Sequence, residues 1–260
     1  MAKKPEMGKY LLWQFFRKNA LVRRYLPPTR RYSTAALGEY LKTYRVVYIK
    51  PVAGSRGMGI LKAWTQDGKV YVKKTTLPTR VFRNEEDAIR YINRERGKRA
   101  YIVQRGLALA KVNGRVFDIR VMMQRTKPGG AWLYSGMLAK IAGAGSVVTN
   151  VALSQGTVME VEEALRKSLG WSEARIQRCI QEMKKLSFTA AKHFDSYQYY
   201  RELGFDIAVD QNGKVWLIEE NTGPSHPLFR HLKSNLSMYR TIQFRWGQYN
   251  RALQKRRKSG

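Results

Sequence analysis

The sequence predicts an α+β fold built from two lobes with a cleft between them. Strand-like runs alternate with helix-like segments, several neighbouring runs are joined by turn-forming dipeptides, and no internal repeat or low-complexity linker divides the chain. With 260 residues, 43% of them hydrophobic, the chain can bury a substantial core. These observations indicate one large domain or two small lobes.

The N-terminal part predicts a basic helix, a break and a strand. Residues 1–25 place apolar side chains at helical spacing between basic ones, and the prolines of "LPPT" at 26–29 end that pattern. A short helix ending near Lys42 and an apolar strand over 44–52 follow. We interpret the first helix as packing onto the domain, with a membrane-surface helix as the alternative. Its apolar face is predicted to contain Leu11, Leu12, Phe15, Leu21 and Val22.

The middle of the chain predicts hairpins and one capped helix. The runs "ILKAWTQ" and "KVYVKKTT" are joined by Asp67-Gly68, a dipeptide that favours a tight hairpin turn. A helix is expected over 85–96, because Asn84 is placed to cap it. Further strands are expected at "AYIVQ", "RVFDIRVMMQR" and "AWLYSGMLAKI".

The C-terminal part predicts two helices, a hairpin and a closing helix. The helices fill 160–194, with an interruption near 170–172, and a basic, aromatic helix ends the chain. Between them, "DIAVDQNGKVWLIEENTGP" predicts two strands joined at an Asn-Gly turn. Four segments are therefore predicted: a basic N-terminal helix at 1–25, a first lobe at 26–105, a second lobe at 106–238, and a basic C-terminal helix or tail at 239–260.

The charge balance predicts a polyanionic neighbour. The chain has 49 Lys and Arg against 19 Asp and Glu, a formal net charge of +30. The two ends contribute only part of this excess, with seven Lys and Arg in 1–24 and seven in 240–260. Such a field attracts nucleic acid, anionic membrane, acidic polymer or nucleotide without distinguishing them. A purely solubilising surface is the alternative.

Several classes of protein are disfavoured. A single cysteine, Cys179, rules out an internal disulfide framework, and it shows no zinc-ligand spacing with the three histidines. The longest apolar runs have the length of strands, and no signal-peptide pattern opens the sequence. We therefore expect a soluble, intracellular protein without a membrane span.

The stretch "YIKPVAGSRGMGI" suggests a phosphate-binding loop. A strand delivers Lys50, and a loop with Gly54, Gly57 and Gly59 follows before the next strand. Glycines allow backbone N–H groups to approach phosphate oxygens closely, and a lysine adds a point charge. A simple hairpin connector is the alternative, because glycine loops join strands in many proteins.

The C-terminal hairpin carries three oxygen-bearing side chains within otherwise apolar strands. Glu219 and Asn221 are two residues apart and project to one face, and Asp206 lies on the partner strand, where the turn register can place it opposite them. Converging carboxylates repel unless a cation joins them, and Mg²⁺ prefers oxygen ligands. Solvent-facing polar alternation is the alternative.

Two further features are open to more than one interpretation. Asp118 and Arg120 share a strand face, so Arg120 is either a structural ion-pair partner or an anion clamp. Asn150 lies in the polar stretch "GSVVTNVALSQG", where helix capping is the simplest explanation.

Taken together, these motifs resemble the ATP-grasp superfamily, most closely its YheC/YheD branch of endospore coat-associated proteins. The resemblance covers roughly residues 8–235, and the final hairpin is its most specific part. The matching stretches, in family order, are "YLPPT", "VVYIKPVAGSRGMGI", "YIVQRGLAL", "FDIRVMMQR", "GSVVTNVALSQG" and "GFDIAVDQNGKVWLIEENTGP".

The resemblance implies that ATP lies between the two lobes and that Mg²⁺ joins its phosphates to acidic residues. It implies Lys50 and Arg120 as catalytic residues and Asp206, Glu219 and Asn221 as metal ligands. Lys9 is a looser match to a phosphate-contacting lysine, and Lys140 stands where relatives often have Arg. The implied nucleotide-binding residues are Lys50, Gly54, Ser55, Arg56, Gly57, Met58, Gly59, Gln104 at the adenine hinge, and Asn150.

The resemblance also implies a reaction class, a Mg-ATP-dependent carboxylate–amine ligase that acts through an acyl-phosphate. The positive charge suggests an acidic small-molecule, peptide or protein substrate. The expected location is the cytoplasm, with a spore association in a spore-forming cell. One alternative is a non-catalytic ATP-grasp scaffold of the spore coat. The other is a basic nucleic-acid-binding protein whose stacking residues would be Tyr239, Phe244, Arg245, Trp246 and Tyr249.

Overall fold

The protein is described here by a computed structural model that covers residues 7–54, 57–75, 77–147, 149 and 151–258. Within these residues, the strands form two antiparallel sheets. The helices are α1 (Lys9–Arg17), α2 (Thr34–Tyr44), α3 (Glu85–Arg96), α4 (Val151–Ser154), α5 (Val161–Leu169), α6 (Glu173–Phe194), α7 (Pro227–Arg230) and α8 (Ser237–Lys258).

The first sheet has the strand order β1-β6-β2-β3-β4-β5, and the second has the order β10-β9-β8-β11-β12 with β7 paired to β8. In chain order the strands are β1 (Thr29–Arg31), β2 (Val46–Pro51), β3 (Leu61–Gln66), β4 (Lys69–Lys74), β5 (Arg80–Phe82), β6 (Tyr101–Arg105), β7 (Lys111–Val112), β8 (Arg115–Gln124), β9 (Leu133–Ile141), β10 (Thr157–Met159), β11 (Glu202–Val209) and β12 (Val215–Asn221).

Helices α2 and α3 cover one face of the first sheet. Side chains alternate along β2, so Val47 and Ile49 enter a core shared with α2 and α3. Tyr48 and Lys50 project from the opposite face and line a cleft. The alternation therefore separates a packed face from a binding face.

The second sheet also has one packed face and one face toward the cleft, as the alternation along β8 shows. Ile119 and Val121 enter the main core with α1, α5 and α6. Asp118 and Arg120 project from the other face into the cleft. Farther along that face, Met122 packs in a separate cluster with Ile242 of α8. Helix α8 thus covers one end of this face, and the cleft occupies the other.

The N-terminal helix is shorter than the sequence predicts. Instead of spanning 1–25, α1 ends at Arg17, and a short 3-10 turn follows at Val22–Tyr25. The side chain of Asn19 accepts hydrogen bonds from the backbone N–H groups of Leu21 and Val22, at 3.0 and 3.1 Å, which replaces helical bonding at that point.

The predicted apolar face of this segment is therefore partly wrong. Leu11 and Leu21 are each 51% exposed, whereas Leu12, Phe16 and Val22 are buried. The main-chain N–H of Lys9 also donates to the carbonyl oxygen of Val52, at 2.9 Å, so α1 is anchored to the first sheet while its buried side chains enter the core of the second.

Most other predicted elements are confirmed. Helix α3 has the predicted bounds, and Asn84 caps it by accepting from the N–H of Asp87. The turn at Asp67-Gly68 has positive φ angles of 49° and 70°, as a tight hairpin requires. The sequence missed the short strands β1, β5, β7 and β10. Among the described residues, no helix is both long enough and apolar enough to cross a membrane.

Candidate nucleotide and metal site

A cleft between the two sheets brings most of the predicted site residues together. Its empty volume, counted out to open solvent, is about 1130 Å³. Apolar side chains such as Leu107, Leu109 and Val116 line one part of it. The charged side chains of the lining are Lys9, Lys50, Arg105, Asp118, Arg120, Lys140, Asp206 and Glu219.

The C-terminal hairpin places the predicted metal-binding side chains side by side. Asp206 on β11 is directly opposite Glu219 on β12, and the register shifts between Asp206 and Ile207. Asn221 is two residues beyond Glu219, and its Nδ2 lies 3.5 Å from Oδ2 of Asp206. The bulge sits at the point where the strand turns from apolar packing to the cleft, as bulges near functional sites often do.

Two buried cations hold the carboxylate of Asp206. Arg120 makes a two-pronged contact, with Nε at 2.6 Å from Oδ1 and Nη2 at 3.1 Å from Oδ2. Nζ of Lys140 bridges Oδ1 of Asp206, at 3.0 Å, and Oδ1 of Asp118, at 2.8 Å. The hydroxyl of Thr149 donates to the other oxygen of Asp118. This buried network fixes each of its members in a single orientation.

The same network separates the pKa values of its two acids. Burial alone would raise the pKa of Asp206, but Arg120 and Lys140 outweigh it and hold that pKa well below its usual range. Burial raises the pKa of Asp118, and the ion pair with Lys140 offsets this only in part. Asp206 therefore stays ionised under ordinary conditions.

On the first sheet, Lys50 is held by an amide. Its Nζ donates to Oε1 of Gln104, at 2.6 Å, and Nε2 of Gln104 donates to the hydroxyl of Thr29, at 2.9 Å. Burial lowers the pKa of Lys50 to about 8, although Glu219 opposes the shift. The lysine thus points into the cleft with a neutral partner.

The glycine loop lies at the mouth of the cleft. Gly54 and Gly57 line it together with Met58, and Gly54, Gly57 and Gly59 all have positive φ angles. A Cβ at Gly59 would also approach the hydroxyl oxygen of Tyr101 to 3.1 Å, so this position has two reasons to be glycine. The predicted nucleotide-binding residues Ser55, Arg56 and Asn150 lie outside the described residues.

Lys9 connects this loop to the hairpin. Its Nζ donates to the carbonyl oxygen of Gly54, at 2.8 Å, and lies 2.8 Å from Oε1 of Glu219. The sequence indicated Lys9 only by a loose match, because nothing in its neighbourhood shows that α1 reaches the cleft. The structure places it between the two lobes.

Sequence reasoning also missed how Lys140 and Thr149 take part in the site. Lys140 pairs with Asp118 across β8 and β9, and strand register across a long connection is not readable from residue spacing. The one available signal is an isolated lysine in the apolar run "SGMLAKIAG". A lysine within a buried strand needs a polar partner, and a carboxylate is the commonest one.

The side chains present fit Mg²⁺ and a polyphosphate. Among the described residues, no group of three His, Cys, Asp or Glu side chains is suited to a metal. The candidate set instead joins two carboxylates with the amide oxygen of Asn221, and Mg²⁺ is usually bound by one or two carboxylates that leave positions for phosphate oxygens and water. The lysines and the arginine around this set suit phosphates.

Comparisons with known proteins identify the family and the fold. The profile of the family described as YheC/D like ATP-grasp matches residues 1–253. A curated relative, the endospore coat-associated protein YheD of Bacillus subtilis (strain 168), is 27% identical over 235 residues, which are 88% of this chain and 50% of YheD. The chain therefore spans about half the length of that relative.

Solved structures show the same fold. D-cycloserine synthetase DcsG aligns with a TM-score of 0.55 at 12% identity, over 92% of this chain and 70% of that one. The ATP-grasp ligase PsnB, solved with a minimal precursor, Mg and ADP, aligns with a TM-score of 0.51 at 14% identity, over 93% and 58% of the two chains. This chain has the ATP-grasp fold and belongs to the YheC/D like ATP-grasp family.

Proposed function

We propose that this protein is a Mg-ATP-dependent ligase that joins a carboxylate to an amine. The supporting observation is the cleft itself, in which Lys9, Lys50, Arg120 and Lys140 surround the oxygen donors contributed by the C-terminal hairpin. Within this proposal, the lobes keep the predicted bounds of 26–105 and 106–238. Both contribute side chains to the cleft.

The proposed reaction has two transfers. A carboxylate oxygen of the substrate attacks the γ-phosphorus of ATP, the bond from that phosphorus to the β–γ bridging oxygen breaks, and ADP leaves. The amine then attacks the carbonyl carbon of the acyl-phosphate, phosphate leaves, and the nitrogen loses a proton as the amide forms. The first step brings two negatively charged groups together, and negative charge develops on the leaving group in both steps, so the site must align the reactants and offset this charge.

The side chains of the cleft can be given roles in these steps. Lys50 and Arg120 would neutralise charge on the transferred phosphate, because both point into the cleft and Arg120 is fixed by its contact with Asp206. Gly54, Gly57 and Met58 would close over the phosphates and exclude water, which hydrolyses acyl-phosphates.

The hairpin would hold the metal through Asp206, Glu219 and Asn221. Bound Mg²⁺ would supply a positive charge that orients the phosphates and offsets charge developing on them. The salt contacts of Arg120 and Lys140 would keep Asp206 ionised for this purpose.

The apolar part of the cleft would receive the adenine. Leu107, Leu109, Val116 and Ile218 line it, and Leu107 and Leu109 are close along the chain to Gln104, the predicted hinge residue. Both polar atoms of the Gln104 amide already bond to Lys50 and Thr29. We therefore propose that Gln104 acts on the nucleotide chiefly by positioning Lys50. A cytoplasmic location with spore association completes the proposal.

Calorimetric titration of ATP, with and without Mg²⁺, tests the proposal. Salt near 0.15 M should limit nonspecific anion binding, because it shortens the Debye length to about 8 Å. We expect saturable binding that requires Mg²⁺ in the wild type and is lost in Glu219→Gln. Glu163→Gln is the matched control, since Glu163 lies in an exposed pair with Lys167 on α5. Binding indifferent to both Mg²⁺ and Glu219 would reject the metal assignment.

A non-catalytic, nucleotide-binding component of the spore coat is the second candidate. Two observations favour it: the curated relative is described as endospore coat-associated, and Glu219 is paired with Lys9 within the protein. Titration with ATP and the non-hydrolysable analogue AMPPNP, followed by an ADP-release assay with acidic peptides and amines, separates the two candidates. Binding without ADP release would support the second.

The contacts of α8 weigh against the alternative of a base-stacking, nucleic-acid-binding helix. Arg201 lies 3.2 Å above the ring of Trp246, and His226 packs edge-on against the same ring. Tyr239 packs against the cluster under α8. Phe244, at 62% exposed, is the aromatic residue of this helix most available to a partner.

A further inference from the structure

The cleft-facing side of the first sheet continues beyond the cleft lining and carries opposed lysines. Lys62 on β3 and Lys73 on β4 are directly opposite each other in the antiparallel register, so their side chains project from one face. Tyr48 on β2 pairs with Lys62 and lines the cleft. This row of the sheet therefore runs from the cleft wall to the two lysines.

The second lobe approaches the same row from the other side. Lys111 on β7 is the cross-strand partner of Val116, which lines the cleft, so Lys111 projects toward the cleft side. A Cβ at Gly145 would lie 3.7 Å from Nζ of Lys73, which places the loop after β9 beside these lysines. We call Lys62, Lys73 and Lys111 the lysine patch.

The lysine patch brings three ammonium groups close together with no acidic partner among the described residues. Lys74 pairs with Glu95 and Lys140 with Asp118, whereas none of the three patch lysines forms an ion pair within the described part of the chain. Like charges directly opposite each other in a sheet are destabilising. Burial lowers the pKa of Lys62, and the charges of Lys111 and Lys73 lower it further. An anionic ligand would relieve this repulsion.

We propose that the lysine patch binds side-chain carboxylates of an acidic peptide whose reacting carboxylate lies in the cleft. This inference rests on the proposed ligase function, and it specifies the substrate class as a peptide with several acidic residues. The lysine patch lies on the same sheet face as Lys50, so a peptide bound along that face can extend from the reaction site to the patch.

The neighbouring row of the sheet favours a peptide over single-stranded nucleic acid. Trp64 and Tyr71 are cross-strand partners stacked on each other, with ring centroids 5.3 Å apart and planes 12° from parallel. Nζ of Lys62 lies 5.0 Å from the ring centre of Trp64. Protein groups therefore occupy ring surfaces on which bases would need to stack.

Binding of a fluorescein-labelled decaglutamate peptide, followed by anisotropy, tests the proposal. The variant is Lys62→Met with Lys73→Met, and the control is Lys185→Met with Lys192→Met on the exposed side of α6, which removes the same charge from the opposite face of the second sheet. At about 0.15 M salt we expect about tenfold weaker binding in the patch variant and less than about threefold in the control. Equal losses in the two variants would overturn the proposal.

Further measurements test whether the patch variant is folded and whether the patch prefers a peptide to a nucleic acid. Removing opposed like charges should leave the melting temperature of the patch variant at or above that of the wild type, and Lys111→Met alone should weaken peptide binding in the same direction by a smaller factor. A labelled oligothymidylate of equal length that binds more tightly than the peptide and depends equally on the patch would overturn the peptide assignment. Mg-dependent ATP binding, measured on each variant, reports separately on the proposed function.

Discussion

The two sheets present different electrostatic arrangements to one cleft. On the second sheet, Asp206 is surrounded by Arg120 and Lys140 at ion-pair distances of 2.6 and 3.0 Å. On the first sheet, Lys50 has the neutral amide of Gln104 as its partner. The second lobe therefore carries a preorganised, internally neutralised surface, whereas the first lobe offers positive charge that an anionic ligand can balance.

Removal of Arg120 should disrupt the second-lobe arrangement, and we expect this change to have the strongest effect. In Arg120→Met, Asp206 keeps Lys140 but loses its two-pronged partner in a buried site. We expect the free energy of unfolding to fall by about 3 kcal/mol, as when one member of a buried ion pair is removed. Urea denaturation at pH 7 measures it. The control Arg166→Met removes an exposed pair with Glu173, which is screened by solvent, and should change the free energy of unfolding little. Equal costs would remove the contrast between the two lobes.

A smaller effect tests the first-lobe arrangement. In Lys50→Met, the cleft loses a buried charge that has no acidic hydrogen-bond partner. We expect ATP to bind about tenfold more weakly while the free energy of unfolding stays the same or rises, because a desolvated ammonium group is removed. Titration calorimetry on this variant measures the ATP affinity, and urea denaturation measures the free energy of unfolding. The exposed Lys42 on α2 supplies the control Lys42→Met. A loss of stability with unchanged ATP affinity would mean that Lys50 is structural.

A pH dependence provides a further test of the first-lobe arrangement. The pKa of Lys50 is lowered from 10.5 to about 8 by burial, so above pH 8 the unfolded chain binds more protons at this residue than the folded protein. Stability then rises with pH. Between about pH 8 and pH 9.5, the free energy of unfolding of the wild type should therefore rise relative to that of Lys50→Met. A constant difference between the two proteins over this range would contradict the burial of the charged lysine.

The parts of the site that the sequence could predict are those joined by short connections. The Asn-Gly turn limits the hairpin to few registers and so brings Asp206 near Glu219, although their direct pairing also requires the bulge between Asp206 and Ile207, which spacing does not predict. Alternation along β8 likewise places Asp118 and Arg120 on one face. In both cases a local rule of geometry decides which side chains come near each other.

Other contacts depend on tertiary structure. Lys140 reaches Asp118 only after a loop and an irregular register between Met122 and Met123 have set the pairing of β8 and β9. Thr29 meets Gln104 because three residues after the prolines form an edge strand, a length too short to leave a sequence pattern. Helix α1 ends before its predicted end, close to Asn19, whose side chain accepts hydrogen bonds from the backbone N–H groups of Leu21 and Val22. A single asparagine in the sequence does not show that its side chain will compete with helical hydrogen bonds in this way.

Helix α1 contacts both lobes and should therefore affect the cooperativity of unfolding. Its first residue bonds to Val52 and Gly54 near the first sheet, while Leu12 and Phe16 are buried in the core of the second. A segment shared in this way links the melting of the two lobes, since neither lobe can lose its structure without disturbing helix contacts that the other requires. The protein should therefore show a single calorimetric transition, and weakening α1 should split that transition in two.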